Sequence, residues 1–254
     1  AGGATGTLRA ARSAPDGYTI VVGGADTIAQ NQTLLEKPPY NSATDLVPIA
    51  LGVDLPLVLV GRNGLPPNTL PELIAYMKAN QDKMQFGSSG VGGATHLACA
   101  EFLHAVGVSL THVPYRSAAA GIQDLLSGNL DLYCPVASGA LPHIRAKSIK
   151  FYGVLTDQRS PLLPDLATTA EQGVSGLHGN YWLGLFAPPA TPQPIVTKLH
   201  DEVQKILKEP EFAQKLNVTG ALEPLIMTPA EFSALIKRDY DKYGKLVRDV
   251  GIKM

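Results

Sequence analysis

The sequence predicts an α/β protein built on a mainly parallel sheet with helices on both faces. Short β-rich apolar runs alternate with amphipathic helical patterns along most of the chain, and turns rich in glycine, proline or serine separate them. Neither an internal repeat nor a low-complexity linker interrupts this alternation, so two lobes, if present, are joined by extended segments inside the fold.

A short helical pattern at Thr7–Ala14 leads through Pro15-Asp16-Gly17 into an apolar run at Tyr18–Val22. Leu55–Val60 reads as a buried strand. Thr69 then caps a helix that runs to Lys78 with Leu70, Leu73, Ile74 and Met77 on one face. Further pairs follow: Met84–Phe86 with a helix over Thr95–Val106, Ser109–Val113 with Ala119–Leu126, and Leu130–Tyr133 with Leu141–Ala146. A strand at Ile149–Leu155 and an apolar run at Tyr181–Ala187 precede charged helices at Pro194–Leu207, Glu211–Leu216 and Pro229–Val250. Leu55–Val60 and Tyr181–Ala187 are the candidates for the segments that join two lobes.

At 254 residues, 45% of them hydrophobic and 17% charged, the chain can bury a large core without staples. A formal net charge of -1 provides no broad field for nucleic acid or anionic lipid. No run of about 18 apolar residues is present to span a membrane. Cys99 and Cys134 are the only cysteines and have no metal-ligand spacing, so they read as small core residues that leave the redox compartment open. The chain opens on Ala1-Gly2-Gly3-Ala4-Thr5-Gly6, without methionine or a basic-then-apolar leader, which reads as a cut N-terminus.

The most informative segment is Gly87-Ser88-Ser89-Gly90-Val91-Gly92-Gly93-Ala94-Thr95-His96, set between a strand and a helix. Glycines let main-chain amides approach a ligand, and the positive end of a helix favours an anion there. A plain βα turn is the alternative. Gly93 stands where a P-loop needs lysine, Thr95 where a dinucleotide fingerprint needs its third glycine, and Val91 where a nucleophile elbow needs one. His96 lacks an acidic or nucleophilic partner at a recognisable spacing, so it reads as a helix-cap or packing residue ahead of a general base. His96, His104 and His112 fall on different elements, which argues against a metal site. The strand ends at Asp26-Thr27, Tyr115-Arg116-Ser117 and Ser138 add candidates, since ligands bind outside the carboxyl ends of parallel strands. Ordinary capping by Asp26, Thr27 and Ser138 is the competing reading.

The order of motifs resembles the substrate-binding proteins of tripartite tricarboxylate transporters, the Bug family. The matching segments begin with Ala1-Gly2-Gly3, Ala14-Pro15-Asp16-Gly17-Tyr18-Thr19, Pro39-Tyr40-Asn41, Asp45-Leu46-Val47-Pro48 and Leu70-Pro71-Glu72-Leu73-Ile74. They continue with the Gly87–Gly92 turn and His96-Leu97, then His112-Val113-Pro114-Tyr115, Arg159-Ser160 and Leu163-Pro164-Asp165. Thr169-Ala170-Glu171-Gln172-Gly173, Trp182–Pro188 and Thr191-Pro192 complete the set.

The resemblance implies a type II periplasmic binding fold, with two α/β lobes joined by two crossover strands. The first lobe would comprise 1–66 plus 187–254 and the second 67–186, and the family's opening strand-helix unit would be missing. It implies a monomeric, exported, periplasmic receptor without catalytic residues, metal or cofactor. Such a receptor captures a small carboxylate between its lobes and delivers it to membrane permease subunits. Dicarboxylate, tricarboxylate, amino acid and aromatic acid all fit. Carried over by position, Ser89, Gly90, Val91, Gly92, Thr95, His96, Ser117 and Ser138 are the second-lobe contacts, and Asp26 and Thr27 are those of the first. The chain departs from the family pattern at Ser117, at Ala120 and at Tyr133-Cys134-Pro135-Val136, where an Asp-Asn pair is frequent, which implies an atypical ligand choice. A hydrolase using Ser89 with His96, and a ligand-sensing module for a signalling partner, are the alternative functions.

Overall fold

The computed structural model describes residues 3–161, 163–177, 179–220 and 222–252. The chain starts with α1 (Ala4–Ala11) and β1 (Val21–Gly24), then a π-helical turn at Asp26–Gln30 that runs into α2 (Asn31–Leu34), then β2 (Val47–Pro56). Next come β3 (Val58–Arg62), α3 (Leu70–Ala79), β4 (Gln85–Ser88), α4 (Ala94–Ala105), β5 (Thr111–Pro114) and α5 (Ala118–Ser127). β6 (Leu132–Tyr133), α6 (Ala137–Arg145) and β7 (Ile149–Val154) follow, and the chain closes with β8 (Asn180–Ala187), α7 (Gln193–Leu207), α8 (Pro210–Gly220), β9 (Glu223–Pro224) and α9 (Pro229–Val250).

Two compact units result, one comprising residues up to Asp54 with Trp182 onward, the other Leu55–Tyr181. The changeovers fall inside β2 and β8, at the start of the two apolar runs singled out in the sequence. They come earlier in the chain than the expected 66/67 and 186/187. Among the described residues no helix is long and apolar enough to cross a membrane.

The first unit has a sheet in the order β1-β8-β2-β9, with β1 antiparallel to β8 and β2 antiparallel to β9. Its core is aromatic. Trp182 meets Phe232 of α9 edge-on, with ring centroids 5.5 Å apart, and donates its indole N–H to Asp239 at 2.7 Å. Gly184 makes room for this packing, since a Cβ there would lie 2.4 Å from Phe232 Cζ.

The second unit has a sheet in the order β5-β4-β6-β3-β7. The expected parallel pairing holds for β4 with β5 and for β4 with β6, whereas β3 runs antiparallel to both β6 and β7. β3 is the strand by which the chain enters this unit, so it stands outside the run of strand–helix–strand crossovers, β4-α4-β5-α5-β6, that sets those three strands parallel. Because β4, β5 and β6 are parallel, the loops after all three emerge at the same edge of the sheet.

α3 shows the expected cap: Thr69 accepts from the Glu72 amide while Glu72 accepts from the Thr69 amide, closing a capping box. Leu70, Leu73 and Met77 of α3 join Phe86, Phe102, Leu103 and Leu132 in the core. The cysteines are buried as expected, but they are not free thiols. Cys99 and Cys134 form a disulfide with Cα atoms 5.5 Å apart, tying α4 to the residue that follows β6.

Candidate ligand-binding site

The turn from Ser88 to Thr95 leaves the end of β4, the strand held between β5 and β6. Gly90 and Gly92 adopt φ values of 137° and 73°, which side chains disfavour, and this brings the chain round onto α4. α4 begins at Ala94 behind an extended Gly93 that provides no side-chain cap.

Several turn amides are engaged within the protein. The Ser89 amide donates to Thr95 Oγ1 at 2.9 Å, the Gly90 amide to Ser88 Oγ at 3.2 Å, the Gly92 amide to His96 Nδ1 at 2.9 Å and the Gly93 amide to the Gly90 carbonyl at 3.3 Å. Among the described residues the amides of Val91, Ala94 and Thr95 have no acceptor in the protein. Val91 is exposed on this turn. The arrangement is thus an internally hydrogen-bonded loop with three N–H groups left for an anion at the positive end of a helix.

Two histidines hold the loop from behind. His96, at the start of α4, and His112, on β5, stack with ring centroids 3.8 Å apart, and Phe86 of β4 lies 4.9 Å from His112. His112 Nε2 contacts Ser88 Oγ at 2.7 Å, and that hydroxyl in turn bonds the Gly90 carbonyl at 3.0 Å. Burial, helped by the neighbouring His112, pushes the His96 imidazole down to about 4. Burial also lowers His112. His96 is therefore neutral at neutral pH, with Nδ1 as acceptor and the proton on Nε2.

The hydroxyls form a second layer. Ser89 Oγ and Thr95 Oγ1 lie 2.9 Å apart. Tyr133, fully buried on β6 and paired in register with Gly87, turns its phenol toward both.

Of the remaining predicted residues, Ser117 accepts from the Ala120 amide at 3.3 Å as the cap of α5, and Ser138 lies half-buried in the first turn of α6. In the first unit, Asp26 Oδ1 accepts from the Thr27 amide at 2.7 Å. The Thr27 hydroxyl bonds both the amide and the carbonyl of Gly24. A separate pocket of about 870 Å³ in that unit is lined by Tyr40, Leu46, Phe186, Ile236, Lys237 and Tyr240, and by none of the predicted residues. Sequence reasoning missed Ser88, His112 and Tyr133. The signal available for Tyr133 was a phenol at the carboxyl end of a strand expected to be parallel, where ligands bind.

Residues 1–252 match the family described as the tripartite tricarboxylate transporter family receptor. The chain belongs to that family. A curated relative of this receptor, BugT from Bordetella pertussis, is 29% identical over 255 residues, which cover 100% of this chain and 78% of BugT. Among solved structures, the periplasmic binding protein BugD is 34% identical with a TM-score of 0.88, covering 100% of this chain and 85% of BugD. MatC from Rhodopseudomonas palustris, solved with bound malate, is 30% identical with a TM-score of 0.87 and covers 97% of this chain and 85% of MatC. An R. palustris protein solved with adipate is 29% identical with a TM-score of 0.91, covering 99% of this chain and 84% of that protein. The receptor is accordingly a solute-binding protein of type II architecture and not an enzyme. Its Ser89 pairs with Thr95 and not with His96, so the residues of the alternative hydrolase reading do not form a nucleophile–base pair.

Proposed function

We propose that the chain is an exported, monomeric receptor that captures a small organic carboxylate in the periplasm and passes it to membrane permease subunits. The observation that carries the reading is the set of unengaged amides at Val91, Ala94 and Thr95, with the Ser89 and Thr95 hydroxyls beside them. Neutral donors fixed at a helix start stabilise an anion without a cation, so the seat tolerates varied acids. Malate in MatC and adipate in the R. palustris protein make dicarboxylates the first ligands to try. A buried disulfide in the second unit fits an oxidising compartment. Ser117 and Ser138 are proposed to add contacts at the same sheet edge, and Asp26 and Thr27 are the first unit's candidates.

The test is to delete one donor without disturbing the helix. Ala94 is the first residue of α4, where proline is accommodated, and Gly93 already has the extended φ −73°, ψ 168° that a following proline requires. Ala94→Pro is expected to weaken calorimetric binding of adipate or malate by about ten- to a hundredfold with little change in thermal stability. Unchanged affinity in a folded variant would remove the seat.

A further inference from the structure

The hydroxyl cluster behind the turn forms a series with one proton to spare at its outer end. Ser89 is exposed, Thr95 is 5% exposed and Tyr133 is 0% exposed, so the three hydroxyls form a series from the surface inward. Thr95 Oγ1 already accepts the Ser89 amide, and one further proton lies between Ser89 Oγ and Thr95 Oγ1. Tyr133 faces both hydroxyls, yet its own closes a full hydrogen bond with no partner among the described residues. Burial raises its pKa, so it stays protonated and can donate. Once Tyr133 closes on the pair, three hydroxyls in series make two mutual bonds and use two of their three protons. The third is left for an acceptor from outside.

We infer that Tyr133 is a positioning residue for the ligand: it donates into the Ser89–Thr95 pair and so directs the leftover Ser89 proton outward onto a carboxylate oxygen. The inference rests on the proposed anion seat and deepens it. A buried phenol without a full bond is unfavourable in the unliganded protein, and the series closes when an outside acceptor takes the Ser89 proton and fixes the direction of the other two. Surrounding structure keeps the phenol in place. Gly121 of α5 packs on its ring, where a Cβ would lie 3.2 Å from Tyr133 Cε1, and the next residue, Cys134, is bonded to Cys99 of α4, the helix that carries Thr95. The donors at this turn are neutral amides and hydroxyls, so the class of ligand is an organic anion with at least one strongly accepting oxygen, a carboxylate ahead of an alcohol or amide.

The sign of two measurements separates this role from a packing role. Tyr133→Phe keeps the ring and removes only the unsatisfied hydroxyl, so the ligand-free variant should melt at the same temperature as the parent chain or higher. Its Kd for adipate, malate or succinate, whichever binds the parent chain best by calorimetry, should rise about tenfold. Thr95→Val serves as the comparison. A Tyr133→Phe Kd within twofold of the parent, with Thr95→Val weakened, overturns the Tyr133 role and leaves the seat standing. Lower thermal stability together with weaker binding assigns Tyr133 to the core and also overturns it. If neither variant changes the Kd, or the parent chain binds none of the three acids, the seat fails and this inference fails with it.

Discussion

His96 and His112 lie face to face, with ring centroids 3.8 Å apart and planes 9° from parallel, and each fixes one glycine of the same turn. His96 does so through the Gly92 amide, and His112 through Ser88 to Gly90. Both contacts suit neutral imidazoles. A proton on His96 Nδ1 would confront the Gly92 N–H with a second donor, and two charged rings at that spacing would repel.

Stability should therefore fall in acid. In the folded chain the His96 pKa is lowered to about 4, while an unfolded histidine titrates near 6.5, so between those values the unfolded state binds more protons. The contribution of neutral His96 is complete above about pH 6.5 and is lost as pH falls toward 4, a total of roughly 3 kcal/mol. Urea denaturation at steps from pH 7 to pH 4.5 measures the slope. His96→Asn, which keeps an acceptor near Nδ1 but does not titrate, should flatten it. A slope identical to that of the parent chain would contradict the assignment.

Reduction of the Cys99–Cys134 bond should destabilise the second unit. The two residues are 35 apart in sequence, for which loop closure in the unfolded chain contributes about 3–4 kcal/mol. Protein reduced while unfolded in urea and refolded in reductant, compared with the oxidised protein by circular dichroism, should show a lower melting transition. Equal transitions would mean that the bond is not formed in solution.

At the first unit's aromatic core, Asp239→Ala would leave the buried Trp182 indole N–H without its acceptor. A loss of about 2 kcal/mol is expected, with a red shift of Trp182 fluorescence, the chain's only tryptophan, as water reaches the ring. The amides at the start of α4 belong to the other unit, so carboxylate affinity of the folded fraction should not change.

Thr69→Ala removes one side of the α3 capping box and should cost about 1 kcal/mol, measured as a shift in the urea midpoint. The helix is expected to remain, because Leu70, Leu73 and Met77 are fully buried.

That cap was legible in the sequence because it is local: Thr69, Glu72 and the apolar spacing all lie within three turns. The Gly87–His96 turn was legible for the same reason, as glycines between a strand and a helix. The partners of its amides were not. His112 reaches Ser88 only because β5 lies beside β4, and Tyr133 reaches Thr95 only because β6 lies on the other side of β4, an order that no spacing in the chain encodes. The early part of β2 also escaped notice. Val47, Ile49, Leu51 and Val53 do alternate, but Pro48, Ala50 and Gly52 between them are apolar or turn-forming residues that blur the period-2 signal. Gly23–Thr27 reads as a strand-end loop because its glycines and capping residues dominate the local signal, yet from Asp26 the chain winds into a π-helical turn and α2. Two cysteines far apart without a motif are equally compatible with separate thiols and with the observed bond.

The enclosure of that bond sets an order of events in biosynthesis. Cys99 is 2% exposed and Cys134 is 0% exposed, so an oxidising enzyme can reach their sulfurs only while the polypeptide is still open. A chain that matured in a reducing compartment would seal its thiols inside and acquire the bridge no faster than it reopened. Oxidation during collapse is the route that delivers the clipped form in quantity, and recombinant production directed to an oxidising compartment should give the more homogeneous material.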